Sequence, residues 1–533
     1  MSSGIQQRSL LRQMQRACQG SSSSGLRQRS EQPELPCRPS RAAYQSYSTS
    51  LSASKPPKHG QPLRSTHPHL IREGELTPGI TAQEYEDRRR KLMKALPEGS
   101  VVICMAGTVR LMSQSIFYKF RQATDFYYLS GFHEPDATLV LESDPSSSRG
   151  YEYTLFVAPK DHETEQWEGN VTGLDDAVKI FGADEAKSIR SLGTFLPTYL
   201  SKSNVYASLP PLPSPSSASK PPHPSTSKRT PSLLRFLSSN RGGSSTHEAP
   251  HVLIASALTA ETAKPLEKEV HRLRMIKSLA ERALMKRAAD LSSAAFVEVM
   301  KAAKPGISEA TLAAIFEFEC ALGGSERPAY VPVVASGPNS LVIHYTKNDC
   351  LVDDNDLVLM DAGCEYAMYA SDVTRTFPAS GRFTSPQRDL YEAVLTAQKG
   401  LIKACELEAK LSLNELQRMA CASLETELKQ IGFKIGRGDV QHRLYPHFIA
   451  HHLGSDLHDC PTADRQAPLV DGNVITIEPG VYVPADSDFP KHFHGLGVRI
   501  EDDIALTSDG PYILSANAPK EVVDVEAACQ AII

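Results

Sequence analysis

The 533-residue chain lacks any run of about 18 apolar residues, so no transmembrane helix is predicted. Its ten cysteines are scattered, with no CxxC pair and no disulfide-like spacing, which favours a reducing or thiol-tolerant compartment. No Walker motif, Gly-rich dinucleotide fingerprint or nucleic-acid-binding module occurs. A net charge of −5 indicates neither a nucleic-acid-binding protein nor a membrane-surface protein. The hydrophobic content of 41% is ordinary for a soluble globular chain.

Acidic residues are almost missing from the amino-terminal segment. Residues 1–72 hold nine Arg and two Lys, and no acidic residue precedes Glu31. In a helix, Arg8, Arg12 and Arg16 would share one face, opposite a face of apolar side chains. An Arg-rich, Ser-rich, acid-poor and amphipathic segment is typical of a mitochondrial transit peptide, although a disordered basic tail is the alternative. The segment therefore predicts a protein of the mitochondrion, in the matrix or associated with the inner membrane.

The rest of the chain divides by composition. We predict a transit and linker region over residues 1–72, an α/β domain over 73–264 and a catalytic domain over 265–533. A Ser/Pro segment at 208–250 has little to bury and is predicted to be a disordered insertion in the α/β domain. A charged helix is expected to begin around Thr81. It is followed by the strand candidates SVVICMAG, DFYYLSGF, ATLVLES and YTLFVAP.

Five residues with metal-binding side chains stand in apolar contexts that read like strand ends: Asp361, Asp372, His451, Glu478 and Glu501. A salt bridge or a cap would explain any one of them, but burying several carboxylates is costly without a compensating cation. Four carboxylates and one imidazole suit Mn²⁺, Co²⁺, Fe²⁺ or a Zn²⁺ pair better than a thiolate-bound structural zinc. Four carboxylates also exceed the need of one catalytic metal, so a metal pair is predicted.

The order of these residues and their flanking motifs resembles the creatinase/aminopeptidase P metallopeptidase family (M24B). The motifs are DAGCEY, SDVTRTFP, PHFIAHHLG, IEPGVYVP and GVRIEDD, spread over about residues 330–505. The stretch FRQATDFYYLSGFHEPDA resembles the amino-terminal domain of the same family, and similarity from Gly60 onward favours its mitochondrial branch. The resemblance implies an α/β amino-terminal domain followed by an α+β catalytic domain with the pitta-bread fold.

The resemblance also implies roles for the metal-binding residues. Asp361 would chelate one metal ion, Asp372 and Glu501 would bridge both ions, and His451 would bind the other. Glu478 would be both a ligand and the proton shuttle. The expected cofactors are two divalent metal ions, with Mn²⁺ as the expected metal.

Five further residues are predicted to act around the substrate, and three of them, all histidines, match family positions. The resemblance implies that His344 and His458 are catalytic and stabilise the oxyanion. It also implies that His447 is a pocket histidine. Tyr482, after the EPG turn, is predicted to form a wall for the residue that follows the cleaved bond, and Arg499 is predicted to hydrogen-bond the bridging carboxylates; both are assigned to substrate binding. A lone histidine is more often an ordinary polar residue, so these assignments depend on the surrounding motifs.

The implied function is a metalloaminopeptidase that removes one amino-terminal residue from peptides, or from imported mitochondrial proteins after presequence cleavage, and accepts Xaa-Pro bonds. A prolidase, which cleaves only Xaa-Pro dipeptides, shares all five ligands and remains an alternative. An inactive binding module on the same fold is a second alternative. The expected partners are peptide or protein amino termini, without nucleic acid or a membrane span. The sequence leaves open whether the chain is a homo-oligomer.

Overall fold

The computed structural model describes residues 59–113, 116–208, 262–485 and 488–531. The predicted Arg-rich face and almost all of the Ser/Pro insertion lie outside these residues, so both stay predictions. No helix in the described part of the chain is long and apolar enough to cross a membrane.

The first domain is an α/β unit. Its strands are β1 (Glu75–Thr77), β2 (Ile80–Thr81), β3 (Ser100–Met105), β4 (Thr138–Ser143), β5 (Tyr151–Val157), β6 (Glu185–Ser188), β7 (Asn204–Ser208) and β8 (Lys264–Pro265). Its helices are α1 (Ala82–Ala95), α2 (Thr124–Ser130), α3 (His162–Glu168), α4 (Gly173–Phe181) and α5 (Leu192–Leu200).

A six-stranded sheet of order β6-β5-β4-β3-β7-β8 forms the centre of this domain. Strands β3, β4 and β5 are antiparallel neighbours, whereas β6, β7 and β8 each join the sheet in parallel. Successive side chains of β3 point to opposite faces, as strand geometry requires. Val102 and Cys104 therefore enter one apolar core, and Val101 and Ile103 enter another. The sheet is covered on both faces, which explains the continuous apolar run that predicted β3.

Two sequence predictions meet different outcomes in this domain. The helix expected around Thr81 is confirmed, since the Thr81 side chain caps α1 by accepting a hydrogen bond from Glu84 N at 3.1 Å. The strand expected over DFYYLSGF is wrong, because these residues form helix α2. Every residue of α2 is buried, so apolar side chains on all sides hid the helical period, and Phe and Tyr favour strands. Gly131, at φ +66°, ends this helix in the left-handed conformation.

The last residues of the predicted linker pack on the first domain. Leu63 and Ile71 are buried. The Gln61 side chain donates to Gly131 O at 3.1 Å and accepts from His133 N at 2.6 Å. Residues 59–72 therefore lie against the first domain, although the prediction assigned them to the linker.

The second domain is an α+β unit. Its strands are β9 (Arg327–Pro328), β10 (Val333–Ser336), β11 (Leu357–Ala362), β12 (Cys364–Tyr366), β13 (Tyr369–Ala370), β14 (Val373–Pro378), β15 (Val474–Ile477), β16 (Gly480–Tyr482), β17 (Gly497–Arg499), β18 (Asp502–Thr507) and β19 (Gly510–Ile513). Its helices are α6 (Glu267–Arg274), α7 (Leu279–Ala302), α8 (Glu309–Leu322), α9 (Ser385–Ala404), α10 (Leu413–Gln430) and α11 (Val522–Gln530). The helical segment expected from Pro265 to Ala303 is thus interrupted before Ser278, which begins α7 with a capping box.

Two three-stranded antiparallel sheets, of order β10-β11-β14 and β15-β18-β19, position the predicted metal ligands. Asp361 lies within β11, and Asp372 immediately precedes β14. Glu478 follows β15, and Glu501 precedes β18. His451 lies in a loop next to β15, although its sequence context read like a strand end. The α/β first domain and the α+β second domain predicted from the sequence are both observed.

Candidate active site

The predicted metal ligands converge where the two sheets meet. Ligand atoms of Asp372, His451 and Glu501 all lie within 4.8 Å of one another. His451 Nε2 is 3.3 Å from Asp372 Oδ2 and 3.8 Å from Glu478 Oε1. Asp361 is linked to Asp372 through one tyrosine hydroxyl, as described below. The fold therefore gathers all five residues from separate parts of the chain.

Backbone contacts fix the orientation of the His451 ring. Its Nδ1 lies 3.0 Å from His452 O, so Nδ1 carries the proton that is donated to this carbonyl. The His451 backbone N–H donates to Thr476 Oγ1 at 3.2 Å. Nε2 is therefore the ring nitrogen left to face the carboxylates, as a metal ligand requires.

Arg499 connects the acidic cluster to the predicted substrate side. Its buried guanidinium donates to Asp361 Oδ2 at 2.7 Å, to Tyr482 Oη at 2.6 Å and to Thr374 Oγ1 at 3.1 Å. Tyr482 Oη also lies 2.8 Å from His447 Nε2. One planar group thus holds a predicted ligand and a predicted substrate-side residue in a fixed relationship.

Tyr330 is a site residue that the sequence analysis missed. Its hydroxyl forms hydrogen bonds with both Asp361 and Asp372. Burial, followed by the charges of these two aspartates, raises the pKa of Tyr330 well above its usual range, so the hydroxyl stays protonated. No motif surrounds Tyr330 in the sequence, and nothing there indicated a role.

Thr374 and Asp503 stand inside recognised motifs but were given no role. Thr374 Oγ1 donates to Glu501 Oε2 at 2.8 Å, and the carboxylate of Asp503 accepts from Asp372 N at 3.1 Å. Thr374 therefore orients the Glu501 carboxylate, and Asp503 holds the backbone at Asp372. Each stands two residues from a predicted ligand, and this position was the available signal.

The predicted catalytic histidines lie beside the cluster. The rings of His451 and His458 are 4.5 Å apart, centre to centre. His344 is exposed, and its charge contributes to lowering the pKa of both His447 and His458. Burial is the first cause in each case, and for His447 it lowers the pKa to about 3. His458 therefore packs against a predicted ligand, and His447 is hydrogen-bonded to Tyr482 and through it linked to Arg499.

Arg465 and Tyr445 extend this region and were also missed. Arg465 Nη1 donates to Ala450 O at 3.1 Å, while its Nε and Nη2 are buried without a hydrogen-bond partner among the described residues. The Tyr445 hydroxyl is likewise buried and unpartnered within the described ranges. The charge of Glu478 acts on both residues. These two side chains therefore place hydrogen-bond donors without a partner among the described residues next to the site.

Comparison with known proteins assigns the family. Residues 283–508 match metallopeptidase family M24, and residues 85–206 match the aminopeptidase P N-terminal domain. Intermediate cleaving peptidase 55 of Saccharomyces cerevisiae is 39% identical over 472 residues, which cover 88% of each chain. Xaa-Pro aminopeptidase 3 of Homo sapiens is 39% identical over 487 residues, covering 88% of this chain and 90% of its own. The chain belongs to metallopeptidase family M24.

Solved structures of the M24 family agree with the fold. The crystal structure of the Saccharomyces cerevisiae peptidase, at 38% identity, has a TM-score of 0.74 and covers 86% of this chain and 99% of its own. The aminopeptidase PepP of Pseudomonas aeruginosa, at 32% identity, has a TM-score of 0.71. The predicted pitta-bread domain behind an aminopeptidase P amino-terminal domain is confirmed.

Membership of this branch of M24 makes the chain a metalloaminopeptidase that works with divalent metal ions. A relative from Arabidopsis thaliana, 37% identical over 468 residues, is named a mitochondrial intermediate cleaving peptidase. The mitochondrial location expected from the amino-terminal composition is confirmed.

The electrostatics of the M24 site fit a cation. Burial raises the pKa of Glu478 to about 7 and raises that of Asp361. Burial, followed by the charges of Asp372 and Glu478, raises the pKa of Glu501 well above its usual range. Burial is the largest single influence on His451 and would lower its pKa, but the hydrogen bond with Asp372 and the charges of Asp372 and Glu478 together outweigh burial and raise that pKa to about 9. Buried carboxylates that repel one another are what a divalent cation stabilises.

Proposed function

We propose that this chain is a dinuclear-metal aminopeptidase that removes a single amino-terminal residue from peptides and from imported mitochondrial proteins after presequence cleavage. The observation that carries the proposal is the convergence of four carboxylates and the Nε2 atom of His451 in one buried cluster. The names of the relatives, intermediate cleaving peptidase and Xaa-Pro aminopeptidase, support the substrate class. Acceptance of Xaa-Pro bonds belongs to the same proposal.

We assign the metal ligands as Asp361, Asp372, His451, Glu478 and Glu501. Asp372 and Glu501 would hold both ions; the Asp372 backbone amide donates to Asp503, and Thr374 donates to the Glu501 carboxylate, so both positions are held by neighbouring groups. An oxygen-rich set with one imidazole favours Mn²⁺ over thiolate-seeking metals. Two bound divalent ions would supply Lewis acidity at the scissile carbonyl and an activated water.

The chain's own residues then move protons and orient the peptide. Glu478 lies between His451 and His447, with Oε2 at 3.5 Å from His447 Nδ1, and it would carry a proton from the attacking water to the leaving amine. His344 and His458 would donate hydrogen bonds to the oxyanion. The contacts of Glu478 with His447 and His451, and of the His458 ring with the His451 ring, support these roles.

Three residues are proposed to bind the chain beyond the scissile bond. His447, Tyr482 and Arg499 form a continuous hydrogen-bonded row from the substrate side to Asp361. Tyr482 is held from both sides, so its ring is a fixed wall against which the second residue of a substrate can rest. Because the Tyr482 side chain is already held in place, it can position the scissile bond without losing conformational entropy each time a substrate binds.

The decisive experiment compares three substrates with the purified, Mn²⁺-loaded chain. Two are peptides of about ten residues, one beginning Tyr-Ser and one beginning Xaa-Pro, and the third is an Xaa-Pro dipeptide. We expect mass spectrometry to show release of only the first residue from both long peptides. Activity confined to the dipeptide would overturn the proposal in favour of a prolidase, and no hydrolysis of any of the three would favour an inactive binding module.

In mitochondria, the same proposal is tested by sequencing the amino termini of imported proteins with and without this chain. We expect termini to begin one residue earlier when the chain is absent. Identical termini in both samples would contradict a role after presequence cleavage.

A further inference from the structure

The loop of residues 454–460, here called the His458 loop, carries a predicted catalytic residue between two acidic anchors. Asp456 N donates to Asp459 Oδ1 at 3.2 Å, and Gly454 N donates to Asp456 O at 3.1 Å. Asp459 N also donates to His452 O at 2.8 Å. These bonds make the loop a compact turn, so fixing its two aspartates also fixes His458 between them.

The first domain holds the His458 loop from one side. Thr124, at the start of α2, donates from Oγ1 to Asp456 Oδ1 at 2.6 Å. Arg121 donates to the backbone carbonyl of Ser455, and its Nε donates to Glu365 Oε2 at 2.6 Å. Helix α2 therefore reaches the loop through a side chain that is itself nine-tenths buried.

The first residues of the second domain, at the end of α6 and just after it, also hold the loop. Arg274, which is 3% exposed, donates to Asp456 Oδ2 at 2.7 Å and also to Asp459. Its other terminal nitrogen donates to Asp125 Oδ1 at 2.5 Å, so Arg274 ties the loop to α2 as well. Lys277 donates to Asp459 Oδ2 at 2.9 Å. Both aspartates of the loop are thus bound by cations from outside the catalytic sheets.

We propose that Thr124, a residue of the first domain, is a positioning residue for His458 and acts through Asp456. The inference rests on the proposed function, in which His458 contacts the oxyanion. The His458 ring packs 4.5 Å from the His451 ring, so a shift of the loop would move a donor that must sit within hydrogen-bond distance of the developing charge. The first domain then contributes to catalysis by docking on this loop.

Thr124→Val is the sharpest probe of this contact. Removing Arg274 or Asp459 would leave a buried charge unpaired and could unfold the chain. Thr124→Val removes one hydroxyl and keeps the shape of the side chain, and Thr124→Ser restores the hydroxyl. Thr77→Val is the matched control, because Thr77 Oγ1 makes a buried hydrogen bond of 2.7 Å with Tyr85 in the same domain and makes none with the His458 loop.

The first measurement is hydrogen exchange by mass spectrometry, which does not depend on activity. We expect peptides covering residues 452–460 to exchange faster in Thr124→Val than in the wild type, Thr124→Ser or Thr77→Val. Equal exchange of this segment in Thr124→Val and Thr77→Val would overturn the proposal. This result is readable even if the chain proves inactive on peptides, so failure of the proposed function is distinguishable from failure of the inference.

The second measurement is a kinetic cycle with His458→Ala. We expect Thr124→Val to lower kcat about tenfold in the chain that carries His458, because a misplaced catalytic group costs rate steeply. In the His458→Ala background, the same substitution should cause no further loss, and Thr124→Ser should retain the wild-type kcat. An equal loss in both backgrounds, or no loss in either, would show that Thr124 does not act through His458.

Discussion

The guanidinium of Arg499, at the end of β17, donates at 2.7 Å to Oδ2 of Asp361, which lies in β11 of a different sheet. We expect Arg499→Lys to lower kcat/KM about 10- to 100-fold, because an ammonium group cannot reach Asp361, Tyr482 and Thr374 at once. Steady-state kinetics on the Xaa-Pro peptide would measure this. Arg388→Lys, at an exposed position on α9, is the control and should keep full activity. Near-normal kinetics in Arg499→Lys would contradict a role for the Arg499 guanidinium in holding Asp361, Tyr482 and Thr374 together.

Glu478→Gln keeps the shape of the side chain and removes its capacity to take up a proton. We expect kcat to fall by about 10²–10⁴, the usual cost of losing a general acid–base group. Metal content, measured by atomic absorption on the same sample, separates loss of the base from loss of a ligand. The exposed Glu392→Gln is the matched control. A variant with full metal content and near-normal kcat would rule out the shuttle role.

Tyr330→Phe deletes the hydroxyl that contacts both Asp361 and Asp372. We expect weaker metal retention, by about 10- to 100-fold, since groups that orient metal ligands typically contribute that much. Titration with a competing chelator would give the apparent affinity. Tyr391→Phe also loses a buried hydroxyl, one that donates to Lys520 O at 2.7 Å, and should retain metal normally. Equal retention in the two variants would exclude Tyr330 from the metal site.

Metal removal should abolish peptidase activity. We expect dialysis against a chelator to inactivate the wild type and Mn²⁺ to restore it, because the attacking water and the carbonyl need a Lewis acid. Asp372→Ala should remain inactive after Mn²⁺ is added, while the exposed Asp389→Ala should recover like the wild type. Full turnover by a metal-stripped sample would be incompatible with a metallopeptidase mechanism.

Asp459 gives the stability of the chain a defined dependence on pH. Burial alone would raise the pKa of Asp459, but the charges of Arg274 and Lys277 outweigh burial and hold that pKa well below its usual range. Because the folded-state pKa is lowered, the stabilisation is fully present above about pH 4, the unfolded value, and is lost as the pH falls below it.

We therefore expect Asp459→Asn to lower the free energy of unfolding by about 3–5 kcal/mol at pH 7, since it takes the carboxylate partner from the buried Lys277 and one of three carboxylate partners from Arg274. Urea unfolding from pH 7 to pH 3 should show the wild type approaching the variant as the pH falls below about 4. If the free energies of unfolding of the wild type and Asp459→Asn differ by the same amount from pH 7 to pH 3, the charge of Asp459 does not contribute to stability.

The sequence predicted those parts of the molecule whose chemistry is local. Each predicted ligand stood in a short motif, and the charged helix α1 carried both its period and its Thr81 cap. The prediction from the sequence was wrong at α2, where every residue is buried and the pattern of side chains had predicted a strand. It was silent on Tyr330 and Arg465, because their importance comes from neighbours that are distant in the chain. Tertiary contacts decide such residues, and no periodicity records them.

The division of the proposed ligands between two sheets also determines when the enzyme can become active. Asp361 and Asp372 belong to one sheet, while Glu478 and Glu501 flank strands of the other. A chain that stops short of Glu501, or that is held unfolded during passage across a membrane, has no complete set of ligands. On this ligand assignment, peptidase activity requires that both sheets have folded together, so we expect an unfolded precursor to be unable to trim amino termini.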